Sequence, residues 1–231
     1  MTFARTVVFD LDGTLVDTAP DLINALNYIL VREGMPPVPL HSARSMIGAG
    51  VRRLIERGLE LDGRAVEPED ITRLTGDFID YYAAHIADAS RPFEGLESAL
   101  DDLAARGYRF AVCTNKLEWL SKLLLDRLGL SARFSAICGA DTFGVSKPDP
   151  AILRQTVARA GGDLSSTVMV GDAGPDIGVA RRAGVPVIGV AFGYTEVPMA
   201  DLKPDVLIGH MSDLPAALEG LMLSQKINPT Y

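Results

Sequence analysis

Two carboxylates stand two positions apart in Asp10-Leu11-Asp12-Gly13-Thr14, with a glycine and a hydroxyl directly after them. Three further stretches carry groups that could work with them. Thr114-Asn115-Lys116 offers a hydroxyl, an amide and an ammonium, and Lys147 heads Lys147-Pro148-Asp149-Pro150. Gly171-Asp172-Ala173-Gly174-Pro175-Asp176 spaces two more carboxylates four positions apart. Carboxylates are hard oxygen ligands, the kind Mg²⁺ requires. Hydroxyl, amide and lysine donors suit the oxygens of a transferring phosphoryl group. The combination fits metal-assisted phosphoryl chemistry better than acyl or hydride transfer. A P-loop is excluded because GxxxxGK[ST] is absent, and no GxGxxG follows the first apolar run. His41, His85 and His210 are far apart, and neither CxxC nor HExxH occurs, which argues against zinc.

Taken singly, each stretch has an ordinary reading. A lone aspartate pair is most often a surface feature, Thr-Asn after a strand is turn chemistry, and Lys-Pro-Asp-Pro is an exposed helix entry. In Asp10-Leu11-Asp12-Gly13 the glycine comes too early for an EF-hand calcium loop. Their joint occurrence beside apolar runs is what points to one site. Those runs fall at 6–9, 110–113, 167–170, 187–190 and 206–208, and they are continuous rather than alternating. Strands of that kind are covered on both faces. Helical patterns at 117–128, 150–160 and 175–183 lie between them, so the spacing predicts an α/β fold with a doubly wound parallel sheet. In such sheets ligands bind beyond the carboxyl ends of the strands, where the candidate residues stand.

One interval departs from the alternation. From about residue 18 to 89 the pattern is helical, without a convincing strand. Thr18 is expected to N-cap a helix over 19–32 that has Pro20 in its first turn. Further helices are expected at about 50–59 and 68–87. The interval far exceeds an ordinary βα connection of about 2–6 residues. The expected division is therefore a core of residues 1–15 and 92–231 with an all-helical cap, residues 16–91, set as a lid beside the strand ends.

Composition narrows the partners. Twenty-two basic against thirty acidic residues give a net charge of −8. That balance argues against nucleic acid and against docking on an anionic membrane. An anionic substrate must then be held by local positive charge. Cys113 and Cys138 lie in apolar runs and read as buried, reduced thiols. Arg5 and Asp10 interrupt the opening run, which leaves no signal-peptide core, and no apolar stretch reaches the ~20 residues of a membrane span. A soluble, cytoplasmic protein is expected.

Phe9-Asp-Leu-Asp-Gly-Thr-Leu-Val-Asp-Thr-Ala-Pro20, the Thr114-Asn115 pair, Lys147, the Asp172/Asp176 loop and Phe192-Gly-Tyr194, in this order, resemble the haloacid dehalogenase superfamily. The likeness extends from Val7 to about Leu218 and is to the Mg²⁺-dependent phosphatases with a helical cap after the first strand. Within that branch the chain is most similar to bacterial phosphoglycolate phosphatases. The resemblance implies hydrolysis of a small phosphorylated metabolite, foremost 2-phosphoglycolate, by a monomer or homodimer. Asp10 would be the nucleophile that forms an aspartyl-phosphate, and Asp12 the general acid and then base. Asp10, Asp172 and the backbone carbonyl of Asp12 would hold Mg²⁺, while Asp176 would orient Lys147 or the metal's water shell. Thr114, Asn115, Lys147 and amides near Gly13 would donate to the phosphoryl oxygens. Ala173 stands where many relatives have Ser or Thr, which puts one loop hydrogen bond in question.

Within the expected cap, Arg44, Gly48, Gly50 and Arg52 read either as a glycine break with solvated arginines or as a specificity loop. In the second reading glycines let backbone amides approach the substrate and an arginine pairs with its carboxylate. Trp119 is expected to pack on the cap or a neighbouring helix, and Tyr81 and Tyr82 to pack within the cap. Other activities of the superfamily stay open: a sugar-phosphate phosphatase, a pyrophosphatase or a β-phosphoglucomutase-like mutase. A phospho-aspartyl switch or a non-catalytic binding module is the reading from a different class.

Overall fold

The computed structural model describes residues 5–61, 63 and 68–227; residues 1–4 and 228–231 of the expected core lie outside it. In chain order its strands are β1 (Thr6–Phe9), β2 (Val16–Asp17), β3 (Arg91–Pro92), β4 (Arg109–Cys113) and β5 (Ala136–Cys138), then β6 (Thr167–Gly171), β7 (Val187–Val190) and β8 (Val206–Ile208). Its helices are α1 (Ala19–Arg32), α2 (Leu40–Ala43), α3 (Val51–Glu60), α4 (Pro68–Ala84), α5 (Leu96–Ala105), α6 (Glu118–Arg127), α7 (Pro150–Arg159), α8 (Gly174–Ala183) and α9 (Leu214–Ile227). No described helix is long and apolar enough to cross a membrane.

Six strands form one parallel sheet in the order β5-β4-β1-β6-β7-β8. The pleat sends successive residues to opposite faces. Val7 and Phe9 join one apolar layer, where Phe9 meets Phe110 and Phe134 edge-on at 6.1 and 6.4 Å. Val8 joins the other, with Ile152, Leu153 and Val157 of α7 and Ile177 and Ala180 of α8. Both faces are dry, which is why the strands read as unbroken apolar runs. From β1 the chain builds one half of the sheet through β4 and β5, and then returns to add β6, β7 and β8 on the other side. The reversal flanks β1 and opens a crevice at its carboxyl end.

The sheet has one strand more than the apolar runs announce. The additional strand is β5, three residues long at one edge, opposite the equally short β8. Cys113 and Cys138 pair in register on β4 and β5, and both are buried and free.

Between β2 and β3 the chain is helical, and α1, α3 and α4 pack on one another. Leu22, Leu26 and Ile29 of α1, Leu54, Ile55 and Leu59 of α3, and Leu74, Phe78 and Tyr82 of α4 form their shared core. Thr18 does not cap α1 as expected: its hydroxyl makes no capping bond and is buried without a partner. The helical backbone angles at Thr18 turn its side chain away, and the Ala19 N–H donates instead to the Tyr194 hydroxyl at 3.0 Å.

The segment leaves and re-enters the core through a neck. Val16 and Asp17 pair antiparallel with Pro92 and Arg91. Below this pair the buried Asp21 carboxylate accepts from Ala89 N at 3.0 Å, Ser90 N at 2.8 Å and Ser90 Oγ at 2.6 Å. Charge-assisted bonds of this kind are strong, and removing the acceptor strands buried donors. Asp21→Ala should lower unfolding free energy by roughly 3 kcal/mol, and Asp21→Asn by less, read from urea denaturation midpoints. A wild-type midpoint for Asp21→Ala would show that the clasp contributes nothing.

Candidate active site

The carboxyl end of β1 delivers Asp10 into the crevice, and its neighbours deliver the rest. β4 ends before Thr114, and β6 ends before Asp172. Thr114 is buried, its N–H held by the Cys138 carbonyl and its hydroxyl accepting from Lys116 N at 3.2 Å. Lys147 enters from the loop before α7, with its side chain almost wholly buried. Its ammonium lies 2.8 Å from Asp10 Oδ1 and 2.6 Å from Asp176 Oδ1. Asp172 accepts from Thr14 Oγ1 at 2.9 Å and from Tyr194 N at 2.7 Å. The other oxygen of Asp176 accepts from Asp172 N and Ala173 N at 3.1 and 3.0 Å. That carboxylate ties the loop through its backbone, while Ala173 makes no side-chain cap bond to α8.

Close approach demands glycine around Asp172. Gly13 adopts φ +81°, and a Cβ there would lie 2.4 Å from Asp172 Oδ2. At Gly193 a Cβ would come within 2.1 Å of Asp172 Cβ. Backbone therefore wraps the carboxylate from two sides and fixes its direction.

One oxygen from each of Asp10, Asp172 and Asp176 lies within 4.8 Å of the others. Among the described residues this cluster sets three buried carboxylates against one buried ammonium, an excess of two negative charges. Burial, opposed by Lys147, pushes the Asp10 carboxyl up to about 6 from its ordinary 3.8. Burial, then Asp176 and Asp10, raise Asp172 well above the ordinary range. Burial works against the Lys147 charge, but Asp10 and Asp176 outweigh it and hold the ammonium above its usual value. A hard divalent cation matches both the oxygen donors and the uncompensated charge.

Asp12 points elsewhere. Its two oxygens meet Lys116 Nζ at 2.9 and 3.1 Å, and that ammonium sits 4.6 Å from the centre of the Tyr82 ring. Asn115 pins the Lys147 backbone from both ends: it accepts from Lys147 N at 2.8 Å and donates to Lys147 O at 3.2 Å. The same amide reaches 3.5 Å towards the Gly48 carbonyl in the helical segment.

Above these groups lies a cavity of about 40 Å³, on the order of three waters. Asp10, Asp12, Thr114, Asn115 and Lys116 form its floor, and Leu22, Ile47, Gly48, Gly50, Val51 and Leu54 close it from the helical segment. Gly48 and Gly50 thus reach the site as the specificity-loop reading expects, but neither expected arginine lines the cavity. Arg44 pairs with Asp17 at 2.7 Å and lies over the Tyr194 ring. Arg52 pairs with Glu56 at 2.9 Å on the exposed side of α3. Trp119 is half exposed on α6. Tyr82 is buried and Tyr81 stacks on Tyr28 at 4.1 Å, as their packing roles predict.

Three contributors stood in the quoted motifs without a specific role assigned to them. Lys116 stood in the same run as Thr114 and Asn115, and its place directly past a strand end was the available signal. Thr14 and Tyr194 hold Asp172 through one hydroxyl and one backbone amide. The amide bond carries no residue-type signal at all.

Residues 7–190 match the family model of the haloacid dehalogenase-like hydrolases. The chain belongs to that family, and within it stands with the phosphatases. A phosphoglycolate phosphatase of Caulobacter vibrioides is 48% identical over 219 residues, covering 95% of this chain and 92% of the relative. One of Agrobacterium fabrum is 44% identical over 218 residues, 94% of each chain. The crystal structure of a predicted phosphoglycolate phosphatase from Haemophilus somnus 129pt superposes with a TM-score of 0.86 at 28% identity, covering 94% of this chain and 99% of that one.

The buried charge makes stability respond to pH and cations. Between its ordinary value of 3.8 and about 6, folded Asp10 keeps a proton that the unfolded chain has lost. Stability therefore falls as pH rises through that window, and the cost persists above it. Adding millimolar Mg²⁺ to EDTA-treated protein should raise Tm by about 5 °C or more at pH 8 and by clearly less at pH 5. Differential scanning calorimetry checks this; equal shifts at both pH values would contradict it.

Proposed function

We propose that the chain is an Mg²⁺-dependent phosphomonoester hydrolase, that 2-phosphoglycolate is its foremost substrate, and that residues 16–91 act as its lid. The observation that carries this reading is Asp10 itself. Its carboxylate stands at the mouth of the central strand, bridged by Lys147, beside two further carboxylates and under a cavity closed by the helical segment. The names of the relatives support the substrate.

Asp10, Asp172 and the backbone carbonyl of Asp12 would hold the cation, which supplies the charge neutralisation that lets a carboxylate approach a phosphate. The Asp10 carboxylate attacks phosphorus, the ester bond breaks, and the leaving alkoxide takes a proton from Asp12. Asp12 then removes a proton from water, which attacks the same phosphorus and releases Asp10 and inorganic phosphate. Lys147, held by Asp176, donates to the transferring oxygens together with the Thr114 hydroxyl. The Asn115 side chain, expected from sequence to donate as well, is engaged with the Lys147 backbone and positions that lysine instead. Apolar residues of the lid keep bulk water from the first displacement.

A panel of small phosphoesters ranked by kcat/KM, with EDTA controls, tests the reading: 2-phosphoglycolate should lead and chelation should abolish turnover. Asp10→Asn should eliminate turnover in folded protein, and Lys147→Ala should cost ~10²-fold or more in kcat. Substantial turnover by folded Asp10→Asn protein would remove Asp10 from the nucleophile's role.

A further inference from the structure

The substrate named above carries two anionic groups, and the groups beside Asp10 account for one of them. We propose that Lys116 is the residue that binds the second, a carboxylate one carbon away from the ester oxygen. This rests on the phosphoglycolate reading and adds the residue that would enforce it.

Among the described residues that line the cavity, Lys116 carries the single cationic side chain. The walls contributed by Leu22, Ile47, Val51 and Leu54 are apolar, and Arg44 and Arg52 are paired elsewhere. The Lys116 ammonium is almost wholly shielded from bulk solvent, its side chain only 3% exposed. A charge-assisted bond formed there is stronger than one made at the surface.

In the proposed reaction Asp12 protonates the ester oxygen, and Lys116 Nζ lies 2.9 and 3.1 Å from the two oxygens of Asp12. A group one carbon beyond the ester oxygen therefore comes within reach of that ammonium. An ammonium has three N–H donors, and the two Asp12 oxygens occupy at most two of them. The Tyr82 ring, 4.6 Å from Nζ, supports the ammonium from the helical segment and offers it no competing acceptor. The two lysines thereby divide the two anions, Lys147 serving the phosphoryl end and Lys116 the carboxylate. A phosphoester with an uncharged tail would leave the second ammonium without its partner.

The experiment compares 2-phosphoglycolate with 2-hydroxyethyl phosphate, which has a hydroxymethyl group in place of the carboxylate. The wild-type protein should prefer the former in kcat/KM. Lys116→Met should shrink that preference by about 10–100-fold, chiefly by raising KM for 2-phosphoglycolate. Lys116→Gln is expected to do the same and serves if the methionine variant does not fold; Lys116→Arg should keep most of the preference. Equal losses on both substrates would reduce Lys116 to a support for Asp12 and overturn the proposal, as would an unchanged ratio. A wild-type protein without preference for the carboxylated ester would instead overturn the substrate reading itself.

Discussion

The buried ammonium of Lys147, shared between Asp10 and Asp176, is the interaction on which the rest of the site depends. Without it Asp10, Asp172 and Asp176 would crowd three carboxylates into a dry crevice with no buried positive charge to oppose their repulsion. With it, one ion pair keeps Asp10 aimed and a second keeps Asp176 in place as the brace of the 172–173 loop. The excess negative charge that remains is a demand for a cation. The protein thus gives up stability at the centre of its sheet, where a fold otherwise gains most from apolar burial.

That loss is tolerable because the scaffold around it is rigid. β1 lies between β4 and β6, and its apolar residues are sealed by both layers. Glycines at 13 and 193 let backbone close on Asp172. The helical segment is bound to this scaffold at the neck by Asp21 and above the sheet by Arg57, which pairs with Glu196 at 2.5 Å. Tyr194 joins the two regions: its amide holds Asp172, and its hydroxyl donates to Asp17 at the neck. A shift of the helical segment would consequently be felt at the acidic cluster through one residue.

Much of this was legible in the residues. Unbroken apolar runs predicted parallel strands because both sheet faces are covered, and the candidate side chains stood past their ends because β1 is the switch point. The long helical interval was visible from length alone. β5 was not counted among the strands, although its Cys138 was read as part of an apolar run. Thr18 misled, because a hydroxyl before a helix signals a cap only if the backbone turns it towards the first turn. Arg44 and Arg52 misled because their charges are neutralised by Asp17 and Glu56: the first pair spans 27 residues and leaves no trace in local sequence, whereas the second is four residues apart on α3 and was legible. Lys116 was the opposite case, a lysine noted past a strand end without a role and made important by the aspartate and tyrosine that fold against it.

The most direct measurement is to trap the bond on which the account turns. Protein turning over 2-phosphoglycolate with Mg²⁺ would be acid-quenched within milliseconds and reduced with borohydride, which converts an acyl phosphate to the alcohol. Peptide mass spectrometry should then find the reduced side chain at residue 10, in an amount that vanishes when EDTA replaces Mg²⁺. Turnover without any reduced residue 10, or with the modification on another carboxylate, would contradict the account.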